Sequence, residues 1–314
     1  MLNTILVLMP TYNGQEYIIS QIDSILNQKN VDVHLLIRDD GSKDNTVNII
    51  KCKYSSNPKV ELILGNNIGC VNSFNFLVNE AVKRKEFEYF AFSDQDDVWD
   101  ETKLITGINK LQTISDQENN IPLVYCCNLM VSDNKANPIR PLYTSEVKLK
   151  KSNMLVTNKG AGCTMVFNRK IAQIYTEHPA QFPSYHDYWM ALIAFFLGKM
   201  YFDNTCHIFY RQHSSNVVGL HSLLNWKLRL KNIIKVFLSK DDSHIDTLAA
   251  FYNEFKYKLR ESDDKIFLLM IIYKKSIFNK IRILCTWDFY PDCSFIKNPI
   301  KYFSFVIKVI FDKL

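Results

Sequence analysis

The stretch Thr4–Met9, TILVLM, is an uninterrupted apolar run that ends at Pro10. Such a run is typical of a strand in a parallel sheet, because helices cover both faces of the sheet and neither face meets water. The next segment, Gln15–Leu26, carries isoleucine and leucine at helical spacing, which predicts an amphipathic helix. The sequence therefore opens as a strand followed by a helix.

The same alternation continues along the next part of the chain. The predicted strands are Val31–Ile37, Val60–Leu64 and Tyr89–Phe92, and the predicted helices begin at Thr46 and at Ser73. Strands that alternate with helices imply right-handed β-α-β crossovers. We therefore predict an α/β fold with an open, mostly parallel sheet flanked by helices.

Length and composition narrow the class of protein. The chain has 314 residues, which is about two domains at roughly 150 residues each. With 47% hydrophobic and 13% aromatic residues it can bury a sizeable core, which excludes disordered and fibrous proteins. The longest apolar run that we find, Ile266–Tyr273, is far shorter than the about 20 residues of a transmembrane helix. The N-terminus lacks the features of a signal peptide, so we expect a cytoplasmic chain without a transmembrane helix.

The eight cysteines include no C-x-x-C pair. This spacing argues against zinc sites and against a disulfide framework. We therefore interpret all of them as buried thiols. They are Cys52, Cys70, Cys126, Cys127, Cys163, Cys206, Cys285 and Cys293.

Charge is distributed unevenly along the chain. Residues 1–220 carry 21 Lys+Arg against 22 Asp+Glu, whereas residues 221–314 carry 17 against 10. The C-terminal region therefore holds the whole positive excess. We predict a catalytic body over 1–220 and a basic helical region over 221–314, whose partner would be an anionic surface. The alternative is a charged helical face that only contacts water.

The basic region also shows helical spacing of apolar residues. In Trp226–Phe237 the apolar residues and the lysines fall on different faces of a predicted helix, and 266–283 and 302–314 repeat the mixture. One interpretation is an interfacial membrane anchor, because basic clusters are attracted to anionic lipid. The alternative is a helical subdomain that packs on the body or on a second copy in a homodimer. No nucleic-acid motif accompanies the charge, so we expect no nucleic-acid partner.

Polar residues follow each of the four predicted strands. The stretches are Pro10–Asn13, Asp39–Ser42, Asn66–Gly69 and Ser93–Asp97. Because the carboxyl ends of parallel strands meet at one edge of an open sheet, these residues predict a cleft for a nucleotide. The sequence has neither a P-loop nor a G-x-G-x-x-G turn after the first strand, which disfavours P-loop NTPases and dinucleotide dehydrogenases.

Asp94, Asp96 and Asp97 stand within four residues directly after the fourth predicted strand. Like charges this close are unfavourable unless a cation offsets them, and oxygen ligands favour Mg²⁺ or Mn²⁺. Such an ion typically completes its shell with substrate phosphates and water. The alternative is an acidic turn on the surface. The position after an apolar strand favours the metal site.

Six stretches together resemble one enzyme family. They are MPTYNGQEYI, IRDDGSKDNT, NNIGCVNSFN, FSDQDDVW, YHDYWMALIA and YRQHSSNVVG. In this order and spacing they are similar to glycosyltransferase family 2 enzymes of GT-A fold, over about residues 1–220. FSDQDDVW and YRQHSSNVVG most resemble the bacterial rhamnosyltransferase branch that builds cell-surface polysaccharides.

The resemblance implies a donor site at the strand ends. Asp39 would accept a hydrogen bond from the base imide with Asp40 beside it, and Arg211 could neutralise the departing diphosphate. Asp94 would face the ribose or the sugar. The residues implied in donor binding are, in chain order, Pro10, Thr11, Tyr12, Glu16, Asp39, Asp40, Asn67, Asn72, Asp94 and Arg211.

The resemblance also implies a divalent metal site. Asp96 would bind the ion, and His213 matches a family position that supplies a late metal or diphosphate contact. An imidazole nitrogen is a plausible ligand for Mn²⁺ and a poor one for Mg²⁺. An ordinary surface role is the alternative for His213, and Asp97 receives no role.

Asp187 matches the position at which the family carries its acidic general base. An acceptor hydroxyl must lose its proton as it attacks the anomeric carbon, and a carboxylate within hydrogen-bond reach can take it. The family's commonest sequence here is Glu-Asp, whereas this chain has His186, so the role of His186 stays open. The alternatives are a helix N-cap for Asp187 and packing near Trp189 for His186. Gly162 precedes a predicted strand, Thr164–Phe167, and lies either near the donor sugar or in a simple turn.

Together these roles imply an inverting, metal-dependent glycosyltransferase. It would move a sugar to a hydroxyl of a cell-surface polysaccharide or lipid-linked glycan precursor. The resemblance to the rhamnosyltransferase branch implies L-rhamnose as the sugar and dTDP-L-rhamnose as the donor. Its place would be the cytoplasm, at the inner face of the cell membrane if the basic helices bind there. One alternative is the same fold with a UDP-hexose or UDP-N-acetylhexosamine donor. Another is a non-catalytic, membrane-associated scaffold.

Overall fold

The computed structural model describes residues 2–118, 120–180, 185–213, 243–286, 289 and 299–312. The predicted helix over Trp226–Phe237 and Cys293 lie outside these residues. Among the described residues, no helix combines the length and the apolar character needed to cross a membrane.

A nine-stranded mixed sheet forms the centre of the molecule. Its strands are β1 (Asn3–Thr11), β2 (Val31–Asp39), β3 (Val60–Leu64), β4 (Tyr89–Phe92), β5 (Val98–Trp99), β6 (Leu123–Ser132), β7 (Pro138–Pro141), β8 (Val166–Asn168) and β9 (Lys199–Arg211). The order across the sheet is β3-β2-β1-β4-β8-β6-β9-β5, and β7 pairs with β6. The pairs among β3, β2, β1 and β4 are parallel, as is β6 with β9, so the predicted open, mostly parallel sheet is confirmed.

Helices connect the strands and flank the sheet, and among the described residues four more helices follow the last strand in the chain. They are α1 (Ile18–Leu26), α2 (Thr46–Tyr54), α3 (Cys70–Val82), α4 (Lys103–Ser115), α5 (Lys151–Met154), α6 (Arg169–Glu177), α7 (His186–Leu197), α8 (Ser243–Phe255), α9 (Glu261–Ile272), α10 (Ile277–Cys285) and α11 (Pro299–Ile310). The first helix begins at Ile18 rather than at Gln15, because the chain first makes a turn in which the Gly14 carbonyl accepts from Tyr17 N–H at 3.1 Å.

The two faces of the sheet carry separate hydrophobic cores. Along β1, Leu6 and Leu8 enter one core while Val7 and Met9 enter the other, which explains why this strand is apolar throughout. The core that holds Leu6 also includes α3, α7 and the C-terminal helices. Apolar packing is therefore continuous across the predicted boundary at residue 220.

Aromatic side chains join the C-terminal helices to the body. The ring of Trp189 on α7 meets Phe251 on α8 edge-to-face at 5.5 Å, and Phe196 on α7 meets Phe267 on α9 at 4.7 Å. Such pairs contribute about 0.5–1.5 kcal/mol each beyond their burial. The described helices of the basic region thus pack on the catalytic body, as one of the two alternatives expected.

Other local predictions are also wrong, and α3 begins at Cys70 rather than at the predicted Ser73. Cys52, Cys70 and Cys285 are exposed rather than buried, because each lies on an outer helix face or at a helix end. The strand predicted over Thr164–Phe167 begins at Val166, since the residues before it form a short 3₁₀ turn.

Candidate active site

The predicted strand ends meet at one edge of the sheet. In the parallel pairing of β1 and β2, Thr11 lies opposite Asp39. Asp40 N–H donates to the Thr11 carbonyl at 2.8 Å, and Ser93 N–H donates to the Leu8 carbonyl at 3.0 Å. The carboxyl ends of β1, β2 and β4 therefore form one continuous rim, where the candidate site lies.

Gln95, which the sequence did not single out, joins the first and fourth strand ends. Its Oε1 accepts from Thr11 Oγ1 at 2.6 Å and from Tyr12 N–H at 2.9 Å, and its Nε2 donates to the Tyr12 carbonyl at 3.1 Å. A Cβ added to Gly14 would come within 2.4 Å of Gln95 Oε1, so this glycine permits the close approach. Gln95 thus fixes the loop predicted to line the nucleoside pocket.

Asp39 organises the turn that follows β2. Its Oδ2 accepts from Gly41 N–H at 3.1 Å and from Ser42 N–H at 2.9 Å. Gly41 has a φ of 79°, a left-handed conformation that favours glycine. Within the described part of the chain, Asp39 Oδ1 is buried and receives no hydrogen bond. Because such an oxygen is costly to leave unpaired, it is available to accept an N–H from a ligand.

Asp40 instead pairs with a buried arginine. Its Oδ1 accepts from Arg38 Nη1 and from Ile68 N–H at 2.8 Å, and its Oδ2 accepts from Gly69 N–H at 2.9 Å. Burial opposes ionisation, but the backbone N–H groups and Arg38 outweigh it and lower the pKa of Asp40. Both oxygens bond to protein, so these contacts give Asp40 a part in positioning the loop before α3.

The other residues predicted for donor binding lie at the surface of the same region. Glu16, Asn67 and Asn72 are exposed, and Pro10 is half-buried at the end of β1. Asn72 Nδ2 donates to the Ile68 carbonyl at 2.9 Å. The ligand contacts of these residues stay predictions.

The three carboxylates after β4 differ in their surroundings. Asp97 is fully buried, and its Oδ1 accepts from Arg211 N–H at 3.2 Å. Its Oδ2 is buried with no hydrogen-bond partner among the described residues. Burial, and after it the charges of Asp96 and Asp94, raises the pKa of Asp97 well above its usual range. Burial, followed by the charges of Asp96 and Asp187, raises the pKa of Asp94 to about 7.

Asp96 lies against His213, the two residues that the resemblance assigns to a metal. The distance between Asp96 Oδ2 and His213 Nε2 is 2.8 Å. The imidazole stacks on the ring of Tyr17, with the centroids 4.8 Å apart. Tyr17, in the loop before α1, thus supports the side chain of His213, a role that the sequence did not predict.

Arg211 binds the protein through its guanidinium. Nη2 donates to Ser20 Oγ at 2.7 Å and Nη1 donates to the Asn134 carbonyl at 3.0 Å. The residue is buried and its guanidinium carbon lies 5.1 Å from the Tyr17 ring centroid. These contacts join the end of β9 to α1, and the predicted contact with a diphosphate gains no support from them.

Asp187 lies in the first turn of α7, whose N-cap is Tyr185, so the N-cap alternative is wrong. Its Oδ1 accepts from Tyr188 N–H at 2.7 Å and its Oδ2 accepts from Gly162 N–H at 3.2 Å. Withdrawal from water raises the pKa of Asp187 to about 6, although these N–H groups favour the charged form. The residue as a whole is half-buried at the start of α7.

His186 is a buried packing residue. Its ring stacks on Phe74 with the centroids 3.8 Å apart and meets Phe92 edge-to-face at 5.2 Å. Burial lowers the pKa of His186 to about 3, so the ring is neutral. Neither ring nitrogen has a hydrogen-bond partner in the described residues. The packing alternative is therefore supported, with Phe74 and Phe92 as ring partners instead of Trp189.

Gly162 lies so close to α7 that it tolerates no side chain. An added Cβ would come within 2.9 Å of His186 Nε2 and 3.4 Å of the Asp187 Cβ. We expect Gly162→Ala to lower the free energy of unfolding by about 1–3 kcal/mol through overpacking, and to lower activity by displacing Asp187. Thermal denaturation and a transfer assay measure the two effects. An unchanged melting temperature would contradict the close contact.

Cys70, the first residue of α3, lies near several of the predicted site carboxylates. Withdrawal of the thiol from water is the largest effect that raises its pKa, to about 12, although the residue as a whole is exposed. The next causes are four nearby negative charges, those of Asp94, Asp187, Asp40 and Asp96. The candidate base and the candidate metal ligand therefore lie near one group.

Cys163 provides a second link between these residues, because it follows Gly162 in the chain. Its Sγ and single oxygens of Asp94 and Asp97 all lie within 4.8 Å of one another. Burial raises the pKa of Cys163 well above its usual range, so the thiol stays protonated. A protonated thiol is a poor ligand for a hard cation. These three neighbouring residues are named here the floor of the site.

Lys103 supplies a positive charge close to this floor. It is fully buried, and its Nζ lies 3.2 Å from the centroid of the Trp99 ring. Burial lowers the pKa of Lys103 to about 8, against the opposing influence of Cys127, Cys163 and Asp97. At neutral pH it remains protonated and offsets part of the carboxylate charge. Nothing in the sequence around Lys103 distinguishes it from an ordinary surface lysine.

Comparison with known proteins identifies the family of this chain. A family model described as glycosyl transferase family 2 matches residues 6–173, which is more than half of the chain. The chain belongs to glycosyltransferase family 2. The predicted family, the GT-A type of fold and the enzyme class are thereby confirmed.

Relatives of this glycosyltransferase include enzymes with different donors. It is 27% identical to the dTDP-rhamnosyl transferase RfbG of Shigella flexneri over 84% of its own length and 99% of the relative. It is 30% identical to WfgD of Escherichia coli over 59% of its length and 67% of the relative. WfgD is described as a UDP-Glc:alpha-D-GlcNAc-diphosphoundecaprenol beta-1,3-glucosyltransferase.

Solved structures also resemble the glycosyltransferase. The crystal structure of Staphylococcus aureus TarS 1–349 has a TM-score of 0.49 and 14% sequence identity. The match covers 98% of this chain and 91% of TarS 1–349.

The residues of this glycosyltransferase fit a divalent cation at Asp96 and His213. Adjacent ligands in an octahedral shell with bonds of about 2.1 Å are about 3 Å apart. Asp96 Oδ2 and His213 Nε2 are in hydrogen-bond contact at 2.8 Å, so the two donor atoms already lie side by side. A cation would also offset the charges that raise the pKa of Asp94 and Asp97. The oxygen and imidazole donors favour Mn²⁺ over Mg²⁺.

Proposed function

We propose that this protein is an inverting, metal-dependent glycosyltransferase that moves L-rhamnose from dTDP-L-rhamnose to a hydroxyl group. The observation that carries the proposal is the position of Asp94. Its carboxylate is close enough to both Asp96 and Asp187 for each charge to raise its pKa. One cleft can therefore hold the donor diphosphate at Asp96 and the acceptor hydroxyl at Asp187.

Asp187 acts as the general base in this proposal. Its carboxylate takes the proton of the acceptor hydroxyl as the oxygen attacks the anomeric carbon. The N–H groups of Gly162 and Tyr188 hold both carboxylate oxygens in place, which keeps the base oriented. A single displacement in which the diphosphate leaves from the opposite face inverts the anomeric centre.

Asp96 and His213 would hold the cation, with Asp94 toward the sugar or the ribose. When bound, a divalent cation stabilises the negative charge that develops on the leaving diphosphate. Tyr17 keeps His213 in place by stacking, and Lys103 is a buried positive charge near Asp97. Asp39 Oδ1, which is buried and receives no hydrogen bond within the described residues, would accept the imide N–H of thymine or uracil.

The choice of dTDP-L-rhamnose rests on the relative RfbG, which covers most of this chain. The relative WfgD, described as using UDP-Glc, favours a UDP-hexose as the second candidate. Thermal stabilisation of the purified protein by each nucleotide-sugar with Mn²⁺ separates the two. We expect dTDP-L-rhamnose to raise the melting temperature more than UDP-glucose, UDP-galactose or UDP-N-acetylglucosamine. A larger shift with a UDP-sugar would assign the donor to the alternative.

Transfer should depend on pH through Asp187. Its pKa is raised to about 6, so the carboxylate is charged and active above that pH and protonated below it. We expect the transfer rate to fall about tenfold for each pH unit below 6. A pH–rate profile at saturating donor and metal measures the effect. The residual activity of Asp187→Asn should not show this fall in rate below pH 6. If the fall persists in the variant, a group other than Asp187 causes it.

We propose a polysaccharide or lipid-linked glycan precursor as the acceptor, and the inner face of the cell membrane as the place of reaction. The description of WfgD, which names alpha-D-GlcNAc-diphosphoundecaprenol, supports a lipid-linked glycan acceptor. The basic C-terminal region supports contact with an anionic membrane. Family membership favours an enzyme over the scaffold alternative, which predicts no release of dTDP from the donor with Mn²⁺ present. The homodimer stays a prediction.

A further inference from the structure

Two C-terminal helices expose large apolar side chains on their outer faces. The set, named here the α10–α11 patch, is Ile277, Phe278, Ile281, Ile307, Ile310 and Phe311. Their exposed fractions run from 39% for Ile307 to 74% for Phe278. Soluble proteins rarely expose several large apolar residues together, so a patch of this kind marks an interaction site.

The patch is a true outer face rather than the side of an undocked helix. The opposite faces of both helices enter the hydrophobic core through Ile283 on α10 and through Phe305 and Val309 on α11. Within α10 the exposed apolar residues stand at positions 277, 278 and 281; in α11 they stand at 307 and 310, and Phe311 follows in the turn after the helix. Both sets follow helical spacing and form one side of each helix.

The two exposed faces lie next to each other. Lys280, between Phe278 and Ile281 on α10, donates from Nζ to the Ile310 carbonyl at 2.9 Å and forms an ion pair of 2.9 Å with Asp312. The C-terminal end of α11, with Ile310 and Phe311, is therefore held against α10. The exposed apolar residues of the two helices therefore lie on adjoining elements.

The segment of the chain that carries this surface is basic. Residues 265–314 carry nine Lys+Arg against three Asp. Arg282 is exposed beside Ile281, and Lys275 is exposed one turn before α10. An apolar face bordered by basic side chains is the pattern of a helix that lies in a membrane interface, with its apolar side in the acyl boundary and its charges at anionic headgroups.

We propose that the α10–α11 patch is the surface by which this protein binds an anionic lipid bilayer. A second copy of the chain is a poorer occupant, because pairing two identical basic surfaces brings like charges together. An anionic bilayer supplies both the apolar interior and the opposite charge. The inference rests on the proposed function only in placing the reaction at a membrane, and the surface itself follows from the exposed residues.

Vesicle co-sedimentation of the full chain tests the proposal. The vesicles are phosphatidylcholine alone, or equal parts of phosphatidylcholine and phosphatidylglycerol. We expect the protein to bind the anionic vesicles only, and Phe278→Ser/Phe311→Ser to lose about tenfold or more in partition. The control Leu64→Ser/Ile139→Ser, at exposed apolar residues outside the C-terminal region, should bind like the parent. If the phenylalanine variant fails to fold, Lys275→Glu/Arg282→Glu replaces it, with loss of binding to anionic vesicles expected.

Three results would overturn the proposal. They are no binding of the parent to anionic vesicles, equal binding by the parent and the patch variants, and a parent dimer that the patch variant converts to a monomer without any vesicle binding. Thermal stabilisation by dTDP with Mn²⁺, measured on the same samples, reports the donor site separately. If dTDP with Mn²⁺ does not stabilise the parent, the proposed function is contradicted. Vesicle binding by the same sample would still support the α10–α11 patch as the membrane-binding surface.

Discussion

Asp187→Asn is expected to lower the rate of sugar transfer by about 10²- to 10⁴-fold, the usual contribution of a general base. Asparagine keeps the shape and an oxygen acceptor for Gly162 N–H or Tyr188 N–H, so the first turn of α7 should persist. It cannot take a proton from the acceptor. Single-turnover transfer with saturating dTDP-L-rhamnose measures the loss.

The control for this substitution is Asp246→Asn. Asp246 also lies in the first turn of a helix, α8, but it is exposed and is separate from the carboxylates of the cleft. It should transfer at the parent rate. The rise in melting temperature that dTDP with Mn²⁺ causes should be the same in Asp187→Asn as in the parent, because donor binding does not need the base. Transfer by Asp187→Asn at the parent rate would show that another group takes the proton.

Asp96→Ala is expected to remove the metal dependence of donor binding. The substitution takes away one proposed ligand and leaves His213 as the other. Loss of a residue that only supports a ligand lowers metal affinity by about 10- to 100-fold, so loss of the ligand itself should lower Mn²⁺ affinity by about 100-fold or more. Isothermal titration of dTDP with and without Mn²⁺ measures the effect. In the parent the ion should strengthen binding, and in the variant it should not.

Asp116→Ala provides the matched control for Asp96→Ala, because Asp116 is exposed at the end of α4. It should respond to Mn²⁺ like the parent. The same strengthening by Mn²⁺ in Asp96→Ala would place the ion elsewhere, with Asp94 and Asp97 as the next carboxylates to consider.

The sheet was predictable because burial on both faces leaves a local signal. Tyr89–Phe92 has the bounds that its apolar run predicts, and the predicted bounds also hold for the edge strand Val60–Leu64, whose residues are half-buried or exposed. The first helix was placed three residues early, since the turn closed by Gly14 and Tyr17 shows no break in the apolar spacing. The position of a strand can thus be predicted from the local pattern of apolar residues. The first residue of a helix cannot, because it depends on turns that tertiary contacts stabilise.

The site was only partly predictable for the same physical reason. The sequence marks Asp96, Asp187 and His213 by their motifs. It does not show that Gln95 bonds across to Tyr12, because that contact joins residues 83 positions apart. Likewise, only the packing of His186 on Phe74 distinguishes a neutral buried imidazole from a catalytic one.

The central claim is that one cleft holds a divalent ion at Asp96 and a general base at Asp187. Crystals grown with dTDP and Mn²⁺ test it most directly, through an anomalous difference map collected where manganese scatters. We predict a peak bonded to the Asp96 carboxylate and the nucleotide diphosphate, with the Asp187 carboxylate across the same cleft. A bound nucleotide with no manganese at Asp96, or with Asp187 on a different surface, would contradict the account.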